Sequence, residues 1–312
     1  MEHYVTLFDS LFLPQGLSLH MSMKRHVKDF TLWILCVDDE VHEVLTKLKL
    51  PHARLLQLSK LETEELLRVK STRSKGEYCW TLTPFALRFV FEADTAVERV
   101  TYLDADLWFR KSPKVIFDEL SESGKQVLIT DHAYAPEYDQ SATSGQYCVQ
   151  FMTFTRQGGE VVRKWWEERC IEWCYARFED GKFGDQKYLD DWPVRFASIV
   201  HVLRDEGSAL APWNATRYPY SGAVFYHLHG LRVVSVKEVC LGPYQIPTPL
   251  IENIYKPYLL DLRHACTLLA QIGFKTKVQS IRLSWVRELL KTLRLIMRSI
   301  RTAACANRCL KY

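Results

Sequence analysis

Two carboxylates spaced two residues apart are the strongest sign of chemistry in this chain. Asp104 and Asp106 directly follow the apolar residues 100–103, which have the composition of a buried strand. Because α/β sheets bind ligands at the carboxyl ends of their strands, both acids can reach one cation there. A hard divalent ion can hold a diphosphate and neutralise the charge that it acquires as a leaving group. Such a pair alone more often marks a solvated turn or a helix cap. The neighbouring sequence must therefore show whether this pair binds a metal ion.

The sequence around this acidic pair alternates between strand-like and helix-like segments. Apolar runs rich in β-formers predict strands over residues 4–8, 30–37, 100–103, 127–130, 147–154 and 224–229. Helical composition covers residues 17–26, 39–48, 84–93 and 159–178. Alternation of this kind predicts an α/β domain with a mixed, mostly parallel sheet flanked by helices.

Composition divides the chain into three parts. Residues 1–240 form the predicted α/β domain, and residues 241–274 form a connection that is partly loop and partly helical. Loop is favoured in its first part by four prolines, Pro243, Pro247, Pro249 and Pro257. In residues 275–312, apolar side chains recur at three- and four-residue intervals opposite a face of Arg and Lys. This C-terminal extension is therefore predicted to contain a basic amphipathic helix.

The charge distribution argues against a nucleic-acid-binding protein. The net charge is +4, but residues 275–312 contain ten Lys and Arg against a single acid, Glu288. Their net charge of +9 leaves −5 for the preceding 274 residues, so the basic character is local. With 47% hydrophobic residues and no low-complexity tract, the chain can bury one large core or two modest ones.

We predict neither a targeting segment nor a membrane span. Residues 1–23 lack a basic start and are interrupted by an acid, a proline and a glycine, unlike a signal peptide. No uncharged apolar run reaches the roughly 18 residues of a transmembrane helix. The nine cysteines are scattered and odd in number, which fits a reducing cytoplasm. Cys170 and Cys174 are interpreted as core residues, with metal binding as the alternative.

The surroundings of the acidic pair resemble a known metal-binding segment. Residues 99–108 read R-V-T-Y-L-D-A-D-L-W and lead into Ser112-Pro113 and a helical segment, residues 114–120. This run resembles the metal-binding segment of GT-A glycosyltransferases. Further segments extend the resemblance over most of residues 4–232, in the order found in the nucleotide-diphospho-sugar transferase superfamily, near bacterial members of its glycogenin-like retaining branch.

The resemblance implies both a fold and a reaction. The fold would be GT-A, a Rossmann-like α/β arrangement. The reaction would move a sugar from a nucleotide diphosphate, expected to be a UDP-sugar, to an unidentified acceptor such as a glycolipid or a surface polysaccharide precursor. Retention of the anomeric configuration is expected from the likeness alone.

By this resemblance, the first strand and the helix before the metal motif contact the nucleotide. Phe8, Asp9 and Ser10 would border the base and the ribose, although a buried strand with a polar end also fits them. The helix that contains Thr83 and Arg88 is similar to the family's donor-facing helix, with Thr83 where many relatives have lysine. Arg88 would approach the phosphates or the acidic site, and a surface position is its alternative.

His227 is implied to be the third metal ligand. The segment Y-H-L-H-G that ends at Gly230 resembles the family's late His-x-x-Gly motif, in which the glycine lets the backbone approach phosphate. An imidazole beside Asp104 and Asp106 suits Mn²⁺, with Mg²⁺ as the alternative. His229 has no assigned role. Further donor contacts near the diphosphate are expected from Asp104, Ala105 and Arg232.

Two segments concern the donor sugar. Asp185 and Gln186 resemble the family's Asp-Gln pair, which holds sugar hydroxyls beside the reacting carbon, and a helix cap by Asp185 is the alternative. Residues 147–151 depart from the pattern, because relatives commonly have Asn and Gly where this chain has Cys148 and Gln150. Either Gln150 still bonds to the donor sugar, or the change marks another sugar preference or a weakened enzyme.

The acceptor side and the rival functions stay open. Residues 211–214, A-P-W-N, resemble a loop of bacterial members that would shape the acceptor side, with ordinary packing of Trp213 as the alternative. A sugar-1-phosphate nucleotidyltransferase would need a Gly-rich phosphate loop after the first strand, where residues 11–17 offer one glycine. A catalytically degenerate binding or scaffold protein would suit the departure at Cys148 and Gln150.

For the basic tail, residues 275–312, the functional interpretation is docking on anionic lipid at the inner face of the membrane. The alternative is a helix packed on the domain. We therefore expect a cytoplasmic protein with a peripheral membrane association through the tail, no nucleic-acid partner, and an oligomeric state that the sequence does not specify.

Overall fold

The computed structural model describes residues 1–278 and the backbone of residues 309–311. Its strands, in chain order, are β1 (Glu2–Phe8), β2 (Phe30–Cys36), β3 (Ala53–Gln57), β4 (Arg99–Leu103), β5 (Leu107–Phe109), β6 (Val127–Asp131), β7 (Tyr147–Thr155), β8 (Val200–Val202), β9 (Ala209–Leu210), β10 (Phe225–His227), β11 (Arg232–Ser235), β12 (Glu238–Cys240) and β13 (Cys309–Lys311).

Helices connect most of these strands. The α-helices are α1 (Leu13–His26), α2 (Asp39–Leu48), α3 (Glu64–Lys70), α4 (Lys75–Ala93), α5 (Lys114–Ser123), α6 (Ser141–Ser144), α7 (Glu160–Glu172), α8 (Trp192–Arg195), α9 (Thr248–Leu250) and α10 (Lys256–Gln271). Ile251–Tyr255 adopts a π-helical conformation that joins α9 to α10. Short 3-10 turns cover Leu58–Lys60, Pro136–Tyr138, Lys187–Asp191 and Glu206–Ser208.

Seven of the described strands form the central sheet, in the order β3-β2-β1-β4-β7-β6-β8. The first four strands in that order run parallel to one another, and β6 is parallel to β8. Only β7 is antiparallel to its neighbours within this sheet. The predicted mixed, mostly parallel sheet is therefore confirmed. Because β1 and β4 are parallel neighbours, the residues that follow them lie at the same edge.

A small sheet brings a distant part of the chain to that edge. β10 pairs antiparallel with β5 and parallel with β9, and His227 lies opposite Leu107. The N–H of Leu228 donates to the carbonyl of Asp106 at 2.9 Å. Since β5 begins immediately after the acidic pair, this pairing places the end of β10 beside it.

Side chains pack on both faces of the central sheet. Within β1, Val5 and Leu7 belong to the core beneath α4 and α7, whereas Tyr4 and Phe8 belong to the core beneath α1 and α10. This alternation follows the two-residue period of a strand. Burial on both faces explains why β2 is almost continuously apolar, as expected for a strand with parallel neighbours on both sides.

Two predicted helix boundaries were wrong, the start of α4 and the end of α7. α4 begins at Lys75, not at residue 84, because Ser74 and Glu77 form a reciprocal capping box and the helix continues through Pro84. α7 ends at Glu172, short of the predicted residue 178, since Trp173 is already extended.

The segment predicted as Pro-rich loop is largely helical from Thr248 onward. Pro249 and Pro257 fall in the first turns of α9 and α10, where a missing N–H costs little. α10 then packs on α1 through Ala265 and Leu269, so the predicted connection contributes to the core.

Other expectations concern the tail, the cysteines and the membrane. The predicted amphipathic helix falls mostly on residues 279–308, which lie outside the described residues. Cys170 and Cys174 are both 0% exposed, and the described residues show no metal cluster around them, in agreement with a core role. No helix within residues 1–278 has the length and apolar character needed to cross a bilayer.

Candidate active site

A cleft of about 600 Å³ opens at the carboxyl edge of β1 and β4. Eleven of the sequence-predicted site residues line it: Phe8, Asp9, Thr83, Asp104, Ala105, Asp106, Asp185, Gln186, His227, Gly230 and Arg232. Three others, Ser10, Arg88 and Gln150, do not line it. The cleft thus gathers segments from the first strand to β11 around one space.

Asp104, Asp106 and His227 converge in this cleft. The Nε2 atom of His227 lies 3.1 Å from Oδ1 of Asp106 and 3.7 Å from Oδ2 of Asp104. One ligand atom from each residue lies within 4.8 Å of the others, and no second group of this kind occurs within the described residues. Two carboxylates and one imidazole are a suitable donor set for Mn²⁺ or Mg²⁺, which favour oxygen ligands and accept imidazole to differing degrees. The residues present therefore fit a divalent ion.

Hydrogen bonds from neighbouring residues orient two of these side chains. The hydroxyl of Tyr102 donates to Oδ1 of Asp104 at 3.0 Å, which leaves Oδ2 on the side of His227. Oε1 of Gln150 lies 2.8 Å from Nδ1 of His227. Gln150 is 0% exposed and reaches the imidazole rather than the open cleft. Its predicted contact with the donor sugar is corrected accordingly, because His227 lies between Gln150 and the cleft.

The electrostatics of the cluster favour a bound cation. Burial raises the pKa of Asp104, an effect that His227 reduces and the charge of Asp106 reinforces. Burial also acts to raise the pKa of Asp106, but the charge and hydrogen bond of His227 outweigh it and leave that pKa lowered. The pKa of His227 is raised, since its two acidic neighbours outweigh the burial that lowers it. Both acids therefore attract positive charge to the point at which the three side chains meet.

Asp185 lines the same cleft. The residue is 3% exposed, and its Oδ2 atom has no hydrogen-bond partner among the described residues. Burial raises the pKa of Asp185 to about 7, although a hydrogen bond with Thr83 acts against the rise. No side-chain capping bond accompanies the 3-10 turn Lys187–Asp191 that follows, so the capping alternative lacks support. Gln186 is held by a bond from Nε2 to the carbonyl of Ser144 at 2.8 Å.

At the far end of the cleft, charged groups surround the end of β1. The Nζ atom of Lys75 lies 2.8 Å from Oδ2 of Asp9 and 3.3 Å from Oδ2 of Asp38. Ser10 instead donates from its N–H and its hydroxyl to Asp38, at 3.1 and 3.0 Å. The predicted donor contact of Ser10 is corrected for this reason, whereas Lys75 is a cleft residue that the sequence analysis missed. The Ser74–Glu77 capping box could have revealed it by placing Lys75 at the start of α4.

Arg88 lies away from the cleft, which corrects the donor contact predicted for it. Its guanidinium lies 3.4 Å from Glu167, 3.5 Å from Glu92 and over the ring of Phe85 at 4.7 Å. Thr83 faces the cleft, and five further residues rotate a side chain about 140° around a helix with 3.6 residues per turn. Arg88 therefore belongs to a separate charged groove on the protein surface.

An aromatic wall, formed by His132, Tyr134, Trp213, His229 and Tyr244, bounds the cleft beside the cluster. The rings of His132 and Tyr134 stack at 4.5 Å, and Trp213 meets His227 edge-on at 5.3 Å. Trp213 is also 3% exposed and donates from Nε1 to the carbonyl of His132 at 2.8 Å. Trp213 is therefore packed in the protein and also lines the cleft. Its contact with an acceptor stays a prediction.

Gly230 and Arg232 form the remaining side of the cleft. Gly230 has a φ of 80°, a backbone conformation that residues other than glycine rarely adopt. The charge of Arg232 contributes to lowering the pKa of Asp106, so the guanidinium is electrostatically coupled to the acidic cluster. This part of the cleft therefore contains both a glycine, which has no side chain to block a ligand, and the positive charge of Arg232.

Sequence comparison shows related proteins in Bacillus subtilis (strain 168). The chain is 32% identical over 297 residues to the uncharacterized protein YfnF, covering 88% of this chain and 97% of that protein. It is 32% identical over 282 residues to the uncharacterized protein YfnD, covering 84% and 88%. No family model matches the chain.

Solved glycosyltransferases share the fold. The galactosyltransferase LgtC, in complex with donor and acceptor sugar analogs, matches with a TM-score of 0.53 and 11% identity over 83% of this chain and 95% of that one. The apo form of the glycosyltransferase GlyE from Streptococcus pneumoniae TIGR4 matches with a TM-score of 0.50 and 13% identity, over 90% and 66%. The predicted GT-A fold is thereby confirmed.

Proposed function

The chain belongs to the family of the Bacillus subtilis proteins YfnF and YfnD and has a GT-A fold, and we propose that it is a metal-dependent glycosyltransferase. Its substrate would be a nucleotide-diphospho-sugar. The observation that carries this proposal is the convergence of Asp104, Asp106 and His227 in the cleft. A cleft that also contains Asp185 with an unpartnered carboxylate oxygen can bind a polar ligand beside that cluster.

Asp104, Asp106 and His227 would hold the ion, with Mn²⁺ as the first choice and Mg²⁺ as the second. When bound, such an ion supplies positive charge that stabilises the departing nucleoside diphosphate. Arg232 would contact the diphosphate from the neighbouring strand, and the backbone at Gly230 would approach it closely. Ala105 lies between the two acids and would border the donor.

The donor would extend along the cleft in both directions from the cluster. Phe8 and Asp9 would border the base and the ribose, which we propose to be those of uridine diphosphate. Lys75 adds a charged group at the same end, beside Asp9. Asp185 and Gln186 would hold hydroxyls of the donor sugar, with Thr83 bonded to Asp185. The unpartnered Oδ2 of Asp185 supports this role, because a sugar hydroxyl would satisfy it.

The acceptor would enter beside the aromatic wall. Flat aromatic faces and polar ring edges suit a glycan, so a glycolipid or a surface polysaccharide precursor is the acceptor that we propose. A glycolipid acceptor would be reached at the inner face of the membrane through residues 275–312. The proposed division into residues 1–240, 241–274 and 275–312 belongs to the same hypothesis.

The environment of Gly16 favours sugar transfer over nucleotidyl transfer as the reaction. A Cβ atom at Gly16 would lie 2.4 Å from Cε1 of Phe8, so this glycine allows α1 to pack against β1. α1 begins at Leu13, and the intervening turn is closed by bonds from Leu11 and Phe12 to Asp9. The single glycine after the first strand thus has a packing role here rather than that of a phosphate loop.

Turnover in the presence and absence of a chelator tests the proposal. A panel of sugar nucleotides with Mn²⁺ is first screened by thermal shift, because a ligand of the native state raises the melting temperature. The donor found is then assayed for transfer or hydrolysis with Mn²⁺ and with EDTA. Donor binding without any turnover would indicate the degenerate binding protein instead. NMR of the anomeric proton in the product would test retention of configuration.

A further inference from the structure

Gln150 lies at the centre of the contacts that hold the metal-binding residues in place. It is fully buried in β7, between β4 on one side and β6 on the other. We propose that Gln150 is a positioning residue that fixes the tautomer and orientation of His227 for metal binding. This inference rests on the proposed function, and it concerns a position at which the chain departs from the family pattern.

The main chain of Gln150 holds the first acidic ligand. Its carbonyl accepts the backbone N–H of Asp104 at 3.0 Å, just beyond the last register pair of β4 and β7, Leu103 and Phe151. Its side chain meets Nδ1 of His227 at 2.8 Å. A single residue therefore contacts one ligand from β4 and one from β10.

A chain of hydrogen bonds determines which way the amide points. Nε2 of Gln150 donates to Oγ1 of Thr130 at 3.4 Å, and that hydroxyl donates to the carbonyl of Cys148 at 3.4 Å. Because the amide nitrogen is used on this side, the amide oxygen faces His227. An amide with the opposite orientation would place a donor toward the imidazole, and the Thr130 hydroxyl would have to give up its bond to the carbonyl of Cys148 in order to donate to the amide oxygen.

The orientation of the amide decides the tautomer of His227. An amide oxygen only accepts hydrogen bonds, so Nδ1 of His227 carries the hydrogen in this contact. Nε2 is then the ring nitrogen that faces Asp106, 3.1 Å away, and Asp104. A cation bound there would displace the hydrogen with which Nε2 bonds to Asp106, whereas the bond to Gln150 keeps the hydrogen on Nδ1. Partners of this kind orient metal-binding histidines, and their loss typically weakens metal affinity about 10- to 100-fold.

The test combines a tautomer measurement with Mn²⁺ binding. Gln150→Leu removes the acceptor, and Gln150→Glu retains one. Thr153→Val is the matched control, because Thr153 is equally buried in β7 and bonds to Thr101 at 2.9 Å without touching a metal-binding residue. Nitrogen-15 NMR of histidine-labelled apo protein reports the tautomer, with His227 assigned from the spectrum of His227→Asn. Electron paramagnetic resonance of free Mn²⁺ gives the affinity.

The wild type is expected to show the hydrogen of neutral His227 on Nδ1, and Gln150→Leu to shift it toward Nε2. Gln150→Leu should bind Mn²⁺ about 10- to 100-fold more weakly, while Gln150→Glu and Thr153→Val keep wild-type affinity and tautomer. Wild-type tautomer and affinity in Gln150→Leu would overturn the inference, as would equal losses in Gln150→Glu and Gln150→Leu.

Asp106→Asn separates this inference from the proposed function. If Asp106→Asn abolishes Mn²⁺ binding while Gln150→Leu binds normally, the metal site stands and the role of Gln150 fails. If neither the wild type nor Asp106→Asn binds Mn²⁺, the proposed function fails, and the tautomer spectra alone then decide the role of Gln150.

Discussion

The imidazole of His227 lies 3.1 Å from the carboxylate of Asp106, although the two residues are far apart in the sequence. Main-chain bonds produce this contact. His227 pairs with Leu107 in the small sheet, and the next residue, Leu228, donates its N–H to the carbonyl of Asp106 at 2.9 Å. The distance is therefore set by strand pairing and not by the side chains alone.

Asp106→Asn should abolish metal-dependent turnover. The change removes one negative charge from the cluster while keeping the shape of the side chain. We expect kcat to fall at least about 100-fold, comparable to the loss of one group that stabilises developing charge. Steady-state kinetics with Mn²⁺ measure the effect. Asp118→Asn, at a surface acid paired with Lys114 on α5, is the control and should retain activity; similar rates in both variants would exclude a role for Asp106.

Arg232→Ala and Arg88→Ala should differ in their effects on donor binding. Arg232 lines the cleft, and losing its charge-assisted bond to phosphate should weaken donor affinity by about 1.5 to 3 kcal/mol. Arg88 faces Glu167, so its removal should leave donor affinity unchanged. Calorimetric titration with the donor and Mn²⁺ compares the two. Equal losses of affinity would mean that the phosphates are not bound beside Arg232.

Glu167 should make the fold less stable as pH rises from about 4.5 to about 7. Burial raises the pKa of Glu167 to about 7 from an ordinary 4.5, outweighing the attraction of Arg163 and Arg88. Across this interval the folded state keeps a proton that the unfolded state has lost, so the free energy of unfolding falls as pH rises. Glu167→Gln should lose less stability over the same interval.

Chemical denaturation at several pH values measures this difference. A wild type that instead gains stability relative to Glu167→Gln as pH rises would show that the ion pair with Arg163 lowers the pKa. The comparison uses the difference between the two proteins, because other titrating groups affect both alike.

Removing residues 279–312 should abolish binding to anionic vesicles. This truncation retains Lys277, whose Nζ donates to Ser10 at 2.8 Å, but it removes β13, which pairs with β12. Thermal unfolding of the truncated protein therefore checks that the domain stays folded. Co-sedimentation compares full-length and truncated proteins on vesicles with and without phosphatidylserine. Because basic residues near a charged membrane contribute about 1 kcal/mol each, the full-length protein should prefer the anionic vesicles strongly. Equal sedimentation of both forms would remove the membrane hypothesis.

The central sheet and the positions of Asp104 and Asp106 could be predicted because they depend on local sequence. An apolar run predicts a strand, and residues that follow neighbouring parallel strands lie at the same edge of the sheet. His227 required the family resemblance, since nothing near it in the sequence indicates its pairing with β5. Local sequence was therefore sufficient to predict the positions of Asp104 and Asp106, whereas the position of His227 required the resemblance to the family.

The contacts of Gln150 and Arg88 could not be predicted from local sequence. The contact of Gln150 with His227 depends on the register of β7 and on a strand far along the chain. The cleft position of Arg88 was expected from the family resemblance alone, whereas its contact with Glu167 depends on the packing of α4 against α7.

Calorimetric titration of uridine diphosphate into the protein, with Mn²⁺ and with EDTA, tests the central claim most directly. If Asp104, Asp106 and His227 share one ion that binds a diphosphate, the nucleotide should bind with Mn²⁺ and lose its affinity in EDTA and in Asp106→Asn. Binding of equal strength with and without Mn²⁺, or undiminished binding by Asp106→Asn, would contradict the account.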